Sequence, residues 1–168
     1  MEERRQTGVY ASCCYHENSL QDITAWLHDH NDVIPNPVPI EHLHTTVVYS
    51  RADFEIPKKA IEHFNGIIDE FKFFPSGFAL LGKQEDEKKA LVMLLEAEPL
   101  EVLHDFLLEN GATHGFDDYI PHVTLSYEAD KDFDTSPIKP PNFYLRPAKI
   151  NFAPLDLNWS LQDDVIVL

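Results

Sequence analysis

His44-Thr45-Thr46-Val47-Val48-Tyr49 and His122-Val123-Thr124-Leu125-Ser126-Tyr127 spell one pattern twice: His-x-Thr-apolar-x-Tyr. Each lies in an apolar, β-branched run, which reads as a strand. Side chains two apart in a strand share a face. His44 therefore projects with Thr46, and His122 with Thr124, while Tyr49 and Tyr127 fall on the opposite face and are assigned to packing. Two such pairs turned toward each other would set two imidazoles and two hydroxyls around one space. Acid–base work at a phosphodiester needs that set: one group to take a proton, one to return it, and donors for the charged oxygens. Histidine suits both tasks because its pKa lies near neutrality.

Outward from these strands, residues 8–15 read as a first strand. Ser19 is placed to cap a helix over 20–31 with Ile23, Trp26 and Leu27 on its apolar face. Residues 33–39 hold three prolines and form a loop. Pro57 can open a helix through Ala60, Ile61 and Phe64, which Gly66 interrupts, and 67–74 passes into strand. Apolar runs at 78–81 and 91–95 flank a charged hairpin connection over 82–89. Residues 98–110 form the clearest helix: Pro99 sits in its first turn, Leu100, Leu103, Phe106 and Leu107 make one stripe, and Gly111 ends it. Residues 128–142 are polar, contain three prolines, and read as a long loop. A last strand, 149–157, leads into Asn158-Trp159. Strands interleaved with helices and joined partly by hairpins predict an α+β fold with largely antiparallel sheet. No boundary reads as a linker, so 1–168 is expected to be one domain.

The chain has 168 residues, 43% hydrophobic and 11% aromatic, enough for a packed core. Its formal charge is −16. That argues against a groove for long nucleic acid, whose binding rests on Lys and Arg neutralising phosphates, and against an anionic membrane surface. A small anion in a local pocket is compatible with it. No apolar run is long enough to span a bilayer, and residues 1–7 have no secretion-signal character, so a cytoplasmic protein is expected. The two cysteines, Cys13 and Cys14, are adjacent and read as free thiols of a reducing compartment, with one pointing into the core.

The doubled His-x-Thr motif on strands resembles the 2H phosphoesterase superfamily. Further segments are similar to one branch of it, the phage anti-CBASS cyclic-oligonucleotide phosphodiesterases. These are Gly8-Val9-Tyr10-Ala11, Ile34-Pro35-Asn36-Pro37, His42-Leu43-His44 with its continuation to Arg51, Pro121-His122-Val123-Thr124, and Leu155-Asp156-Leu157-Asn158-Trp159. The resemblance implies a bilobal fold with antiparallel sheets around a central cleft, flanking helices, and one His-x-Thr pair from each lobe. It implies metal-independent, cofactor-free cleavage of cyclic di- and trinucleotide immune messengers in the host bacterial cytoplasm. His44, Thr46, His122 and Thr124 are then the catalytic set. Tyr10 and Trp159 are candidates to stack on bases, since stacking tolerates different bases. Lys139, in the loop that would close over the ligand, is a candidate phosphate contact.

Other readings of the same residues remain open. The nearest is a 2H phosphodiesterase of RNA 2′,3′-cyclic phosphate ends, against which the acidic charge counts. A sponge that binds cyclic nucleotides without cutting them is another. His42 and His44 share a strand face, so with His122 they offer three imidazoles for zinc, although the spacing matches no strong metal motif. His28 and His30 read as a solvated helix end, where a charged ring suits the helix dipole. His63, His104 and His114 read as surface residues, and His16 has no assigned role.

Overall fold

A computed structural model describes residues 8–52, 54–113 and 118–154. Among the described residues, six strands fall into two three-stranded antiparallel sheets. In the first, β1 (Val9–Tyr15) is central, with β2 (Thr45–Ser50) and β6 (Pro147–Pro154) on its sides. In the second, β4 (Lys88–Glu96) is central between β3 (Phe74–Leu81) and β5 (His122–Asp130). The helices are α1 (Glu17–Asp29), α2 (Lys58–Ile67) and α3 (Glu98–Glu109).

The order of elements repeats. A central strand, a helix and an antiparallel edge strand occur as β1–α1–β2 and again as β4–α3–β5. Each unit carries its His-x-Thr motif at the start of the edge strand, and a third strand completes each sheet on the far side. The sequence hints at this duplication only through the motifs themselves.

Both motif strands bulge at the same place. Ser12 lies opposite Thr46 and Ala11 opposite Val48, so Val47 is an extra residue in β2. Val92 lies opposite Thr124 and Leu91 opposite Ser126, so Leu125 is the extra residue in β5. An extra residue twists the strand and moves everything beyond it to the other face. Tyr49 accordingly lies opposite Tyr10, on the face of Thr46, and the two rings meet edge to face at 6.4 Å. This corrects its assignment to the far face; Tyr127 does pack, half-buried, against the core.

Each lobe holds the other's bulge. His104 of α3, in the second lobe, donates from Nδ1 to the Val47 carbonyl at 2.7 Å. The Tyr119 hydroxyl donates to the adjacent Thr46 carbonyl at 2.6 Å, and its ring stacks on His104 at 4.2 Å. In return the Val38 N–H, in the first lobe's loop, donates to the Leu125 carbonyl at 2.8 Å. The Ser126 hydroxyl donates to the Pro35 carbonyl. Asn36 turns this loop with φ +40°, which its short polar side chain tolerates, and donates to Glu128. One continuous buried cluster runs through both sheets. Trp26 of α1 stacks on Phe78 of β3 at 5.6 Å, so the helices tie the lobes together as well.

Several expectations are corrected here. His104 is 4% exposed, not a surface residue, because α3 lies against β2. Helix α1 starts two residues before Ser19, with His16 at its N-cap; Ser19 is buried, and its hydroxyl accepts from the Arg146 N–H. Gly66 lies within α2, and a 3-10 turn, Ile68–Glu70, stands where strand was expected. Strand β5 runs on to Asp130, three residues into the expected loop, held by pairing with Lys88 and Lys89 and by a 2.6 Å Lys88–Asp130 ion pair.

Replacing His104 with Ala removes the donor to a buried carbonyl and the Tyr119 stack. It should lower unfolding free energy by about 3 kcal/mol, read as a shifted urea midpoint. Exposed His63→Ala should change it by under about 0.5 kcal/mol.

Candidate active site

Both motif histidines are anchored in the same way. His44 Nδ1 bonds the His42 carbonyl at 2.7 Å, and His122 Nδ1 bonds the Ile120 carbonyl at 2.7 Å. A carbonyl can only accept, so Nδ1 carries the proton in each ring and, when the ring is neutral, Nε2 keeps its lone pair. The residue between carbonyl and ring is buried in both cases, Leu43 and Pro121, and fixes the approach. For His44 the carbonyl comes from the end of a 3-10 turn, Ile40–His42. His42, one of the residues that a zinc reading would enlist, thus serves His44 through its backbone. Among the described residues no group of three or more His, Cys, Asp or Glu is placed to hold a metal ion.

The threonines lie two residues on, as the strand period requires. Thr46 is 5% and Thr124 8% exposed. On the first lobe, the Tyr10 hydroxyl lies 2.7 Å from His44 Nε2 and 2.9 Å from Thr46 Oγ1. With His44 neutral, Tyr10 donates to Nε2 and accepts from Thr46. With His44 protonated, the chain reverses: Nε2–H donates to Tyr10, and Tyr10 donates to Thr46. The Tyr10 ring itself is only 8% exposed. Its hydroxyl meets His44 and Thr46, and its ring is largely covered.

The second lobe has no such phenol. By register, Tyr10 of β1 corresponds to Ala90 of β4, since Ser12 and Val92 stand opposite the two threonines. The two halves of the site are therefore alike in their histidines and threonines but unlike in what surrounds them.

The two imidazoles sense each other. His122 is pushed below the usual histidine range, first by the protein packed around its ring and further by the charge of His44, against the support of the Ile120 carbonyl. Part of the His122 ring still reaches solvent.

The remaining candidates do not join this cluster. Lys139 is exposed, beside buried Ile138, and among the described residues nothing links it to either His-x-Thr pair. Its segment is packed down: Phe133 and Phe143 lie against the core, and Leu145 exchanges two backbone hydrogen bonds with Phe73. Trp159 and His114 lie outside the described residues. Cys13 is buried and Cys14 half-buried, both free; burial holds the Cys13 thiol far above its usual range. The contributions of Tyr10's hydroxyl and of Ile120's carbonyl escaped the sequence reading. The first had a trace there, since Tyr10 alternates with Ser12 and Cys14 on one face of β1.

Two antiparallel sheets, each with a His-x-Thr pair at an edge strand, make a fold that is similar to solved structures. Among solved structures the fold matches TT0787 of Thermus thermophilus, with a TM-score of 0.54 at 14% identity over 89% of this chain and 95% of that one. It also matches E. coli LigT complexed with 3′-AMP, with a TM-score of 0.52 at 18% identity over 90% and 97%. The family model described as "Anti-CBASS protein Acb1" matches residues 7–162. The Enterobacteria phage T4 protein of that name is 32% identical over 158 residues, 92% of each chain. The chain belongs to the anti-CBASS Acb1 family.

Protonating His122 is harder in the folded protein than in the unfolded chain, where its pKa is near 6.5. Its contribution to stability is therefore complete above about pH 6.5 and is lost as pH falls through the lower folded value. Relative to His122→Gln, wild type should lose thermal stability between pH 7 and pH 5. A difference in Tm that stays constant across that interval would contradict the shifted pKa.

Proposed function

We propose that this protein is a metal-independent phosphodiesterase that cuts cyclic di- and trinucleotide messengers, using His44 and His122 as the acid–base pair. The observation that carries this reading is the twofold arrangement of the site. Two imidazoles, each held by Nδ1 to a carbonyl two residues back, come from opposite lobes with a threonine beside each. Membership of a family described as anti-CBASS supports a cyclic oligonucleotide as the substrate and the host bacterial cytoplasm as the setting. The described residues contain no helix long and apolar enough to cross a membrane.

The chemistry follows from the proton positions. One imidazole, neutral, takes the proton of the ribose 2′-hydroxyl at Nε2. The freed oxygen attacks the adjacent phosphorus. The bond from phosphorus to the 5′-oxygen breaks, and that oxygen takes a proton from Nε2–H of the other, protonated imidazole. The products are a 2′,3′-cyclic phosphate and a 5′-hydroxyl. Water can open the cyclic phosphate with the two rings in exchanged roles, which returns the site to its starting protonation. Thr46 and Thr124 donate to the non-bridging oxygens, whose charge grows toward the transition state. Tyr10 acts as a positioning residue: before substrate binds it orients the His44 ring and the Thr46 hydroxyl through one hydrogen-bonded chain, and it yields Nε2 and the Thr46 proton to the substrate.

Each positioned acid or base contributes about 10²–10⁴-fold. His44→Ala and His122→Ala should each lower kcat by at least about a hundredfold without unfolding the protein. Tyr10→Phe, losing both hydrogen bonds of the chain, should lower kcat by roughly tenfold with KM little changed. The deciding experiment incubates purified protein with cyclic di- and trinucleotides and a chelator, then identifies the new ends. Expected are 2′,3′-cyclic phosphate ends, no effect of the chelator, and no cutting at a linkage whose 2′-hydroxyl is replaced by hydrogen. Efficient cutting of the deoxy linkage would overturn attack by the 2′-oxygen. Ligand recovered intact from stoichiometric enzyme would identify a sponge, and turnover of RNA cyclic-phosphate ends alone would identify an RNA-end enzyme.

A further inference from the structure

The face of the first sheet that carries Thr46 continues past the site, across β1 to β6. Register lines its residues up in rows. Thr46 stands opposite Ser12, and Ser12 opposite Asn151. Cys13 stands opposite Thr45, the first residue of β2, and Cys14, one step further along β1, stands opposite Lys149. Residues directly opposite one another in antiparallel strands project from the same face. The rows Thr46–Ser12–Asn151 and Cys14–Lys149 therefore form one polar shelf that starts at Thr46, two residues from His44. It opens outward: Ser12 and Cys14 are half-buried, while Lys149 and Asn151 are exposed. Asn151 Nδ2 lies 3.5 Å from Cys14 Sγ, so the amide leans back over the shelf and leaves its carbonyl oxygen facing away from the thiol.

The opposite wall has another character. On the face of His122 and Thr124, β4 presents Leu94, Val92 and Ala90, and β3 presents Gly77, Ala79 and Leu81. The site thus has a polar wall that carries a cation and a smooth apolar wall. Lys149 matters in a chain of net charge −16. Lys88 and Lys131 are each paired with a carboxylate, and Lys72 lies over the Tyr144 ring. Among the described residues, no carboxylate is paired with the Lys149 ammonium. Two strand spacings of about 4.8 Å put β6 roughly 10 Å from β2, within reach of a flexible lysine side chain for a ligand seated on the shelf.

We propose that this shelf holds the half of the substrate that is not being cut, with Lys149 paired to the second phosphodiester and Asn151 facing the polar edge of its nucleoside. The inference rests on the cyclic-oligonucleotide reading of the site and deepens it. A substrate with a second phosphate in a closed ring gains a charge-assisted contact that a mononucleotide 2′,3′-cyclic phosphate cannot make. Lys149 is thereby a specificity residue and not part of the proton transfers.

The test is steady-state kinetics of Lys149→Gln and Lys149→Arg on a 3′,3′-linked cyclic dinucleotide. The Gln variant should raise KM roughly tenfold, equivalent to about 1.4 kcal/mol, with kcat within about twofold, and the Arg variant should restore most of the affinity. An unchanged KM, or a loss confined to kcat, overturns the assignment. A footprint gives a second readout. Cys14 is the half-buried thiol and Cys13 the buried one, so a maleimide should label Cys14 selectively. A non-cleavable 2′-deoxy cyclic dinucleotide at saturation should slow that labelling several-fold, and unslowed labelling overturns the shelf. If wild type leaves every cyclic oligonucleotide intact, the functional reading fails and the shelf with it. If wild type cuts them and Lys149→Gln does so with the same KM, the shelf alone fails.

Discussion

Two carbonyl groups, those of Val47 and Leu125, hold this molecule in its working shape. Each belongs to the extra residue of a bulge, and a bulge leaves a carbonyl that the regular ladder does not serve. Each is served instead from the opposite lobe, by the His104 ring and by the Val38 amide. The bonds are short and buried, so leaving either unmade is costly. They also sit one residue beyond the two threonines. The same interaction that joins the lobes therefore sets how the two His-x-Thr strands present their side chains to one another.

From that constraint the chemistry follows with few further requirements. An edge strand delivers a histidine and a threonine to one face, and a carbonyl two residues back fixes the histidine tautomer. The pattern is made once per lobe, so both rings offer Nε2. Repetition alone would give two equivalent halves, which suits a reaction whose second step exchanges the acid and the base. Tyr10 breaks the equivalence on one side, and its counterpart Ala90 cannot. The polar shelf and the apolar wall break it again for the substrate. On the proposed function, an acidic chain would hold its anionic ligand through a few placed donors and not through the net field.

Much of this was legible in the sequence where a simple period governs. The period of two paired His44 with Thr46 and His122 with Thr124, and the period of a helix found α1 and α3 to within a few residues. What escaped was tertiary. Val47 and Leu125 look like any apolar strand residue, so the bulges and the resulting place of Tyr49 left no mark. His104 looks like a surface histidine by composition, yet it occupies the helical stripe of Leu100, Leu103 and Leu107, and that position called for burial. Lys139 was chosen for its charge in a proline-rich segment, and backbone anchoring through Leu145 decided its place. Lys149 reads as one exposed charge in a last strand until the register sets it opposite Cys14, on the face of Thr46.

The central claim is that imidazoles from two lobes face one another across a single space. A titration of both rings followed by ¹⁵N NMR, in wild type and in His44→Gln, measures it most directly. The account predicts proton-bearing Nδ1 in both neutral rings, and a His122 pKa that rises once the positive charge of His44 is removed. A His122 pKa identical in the two proteins would mean that the rings do not share a site, and would contradict the account.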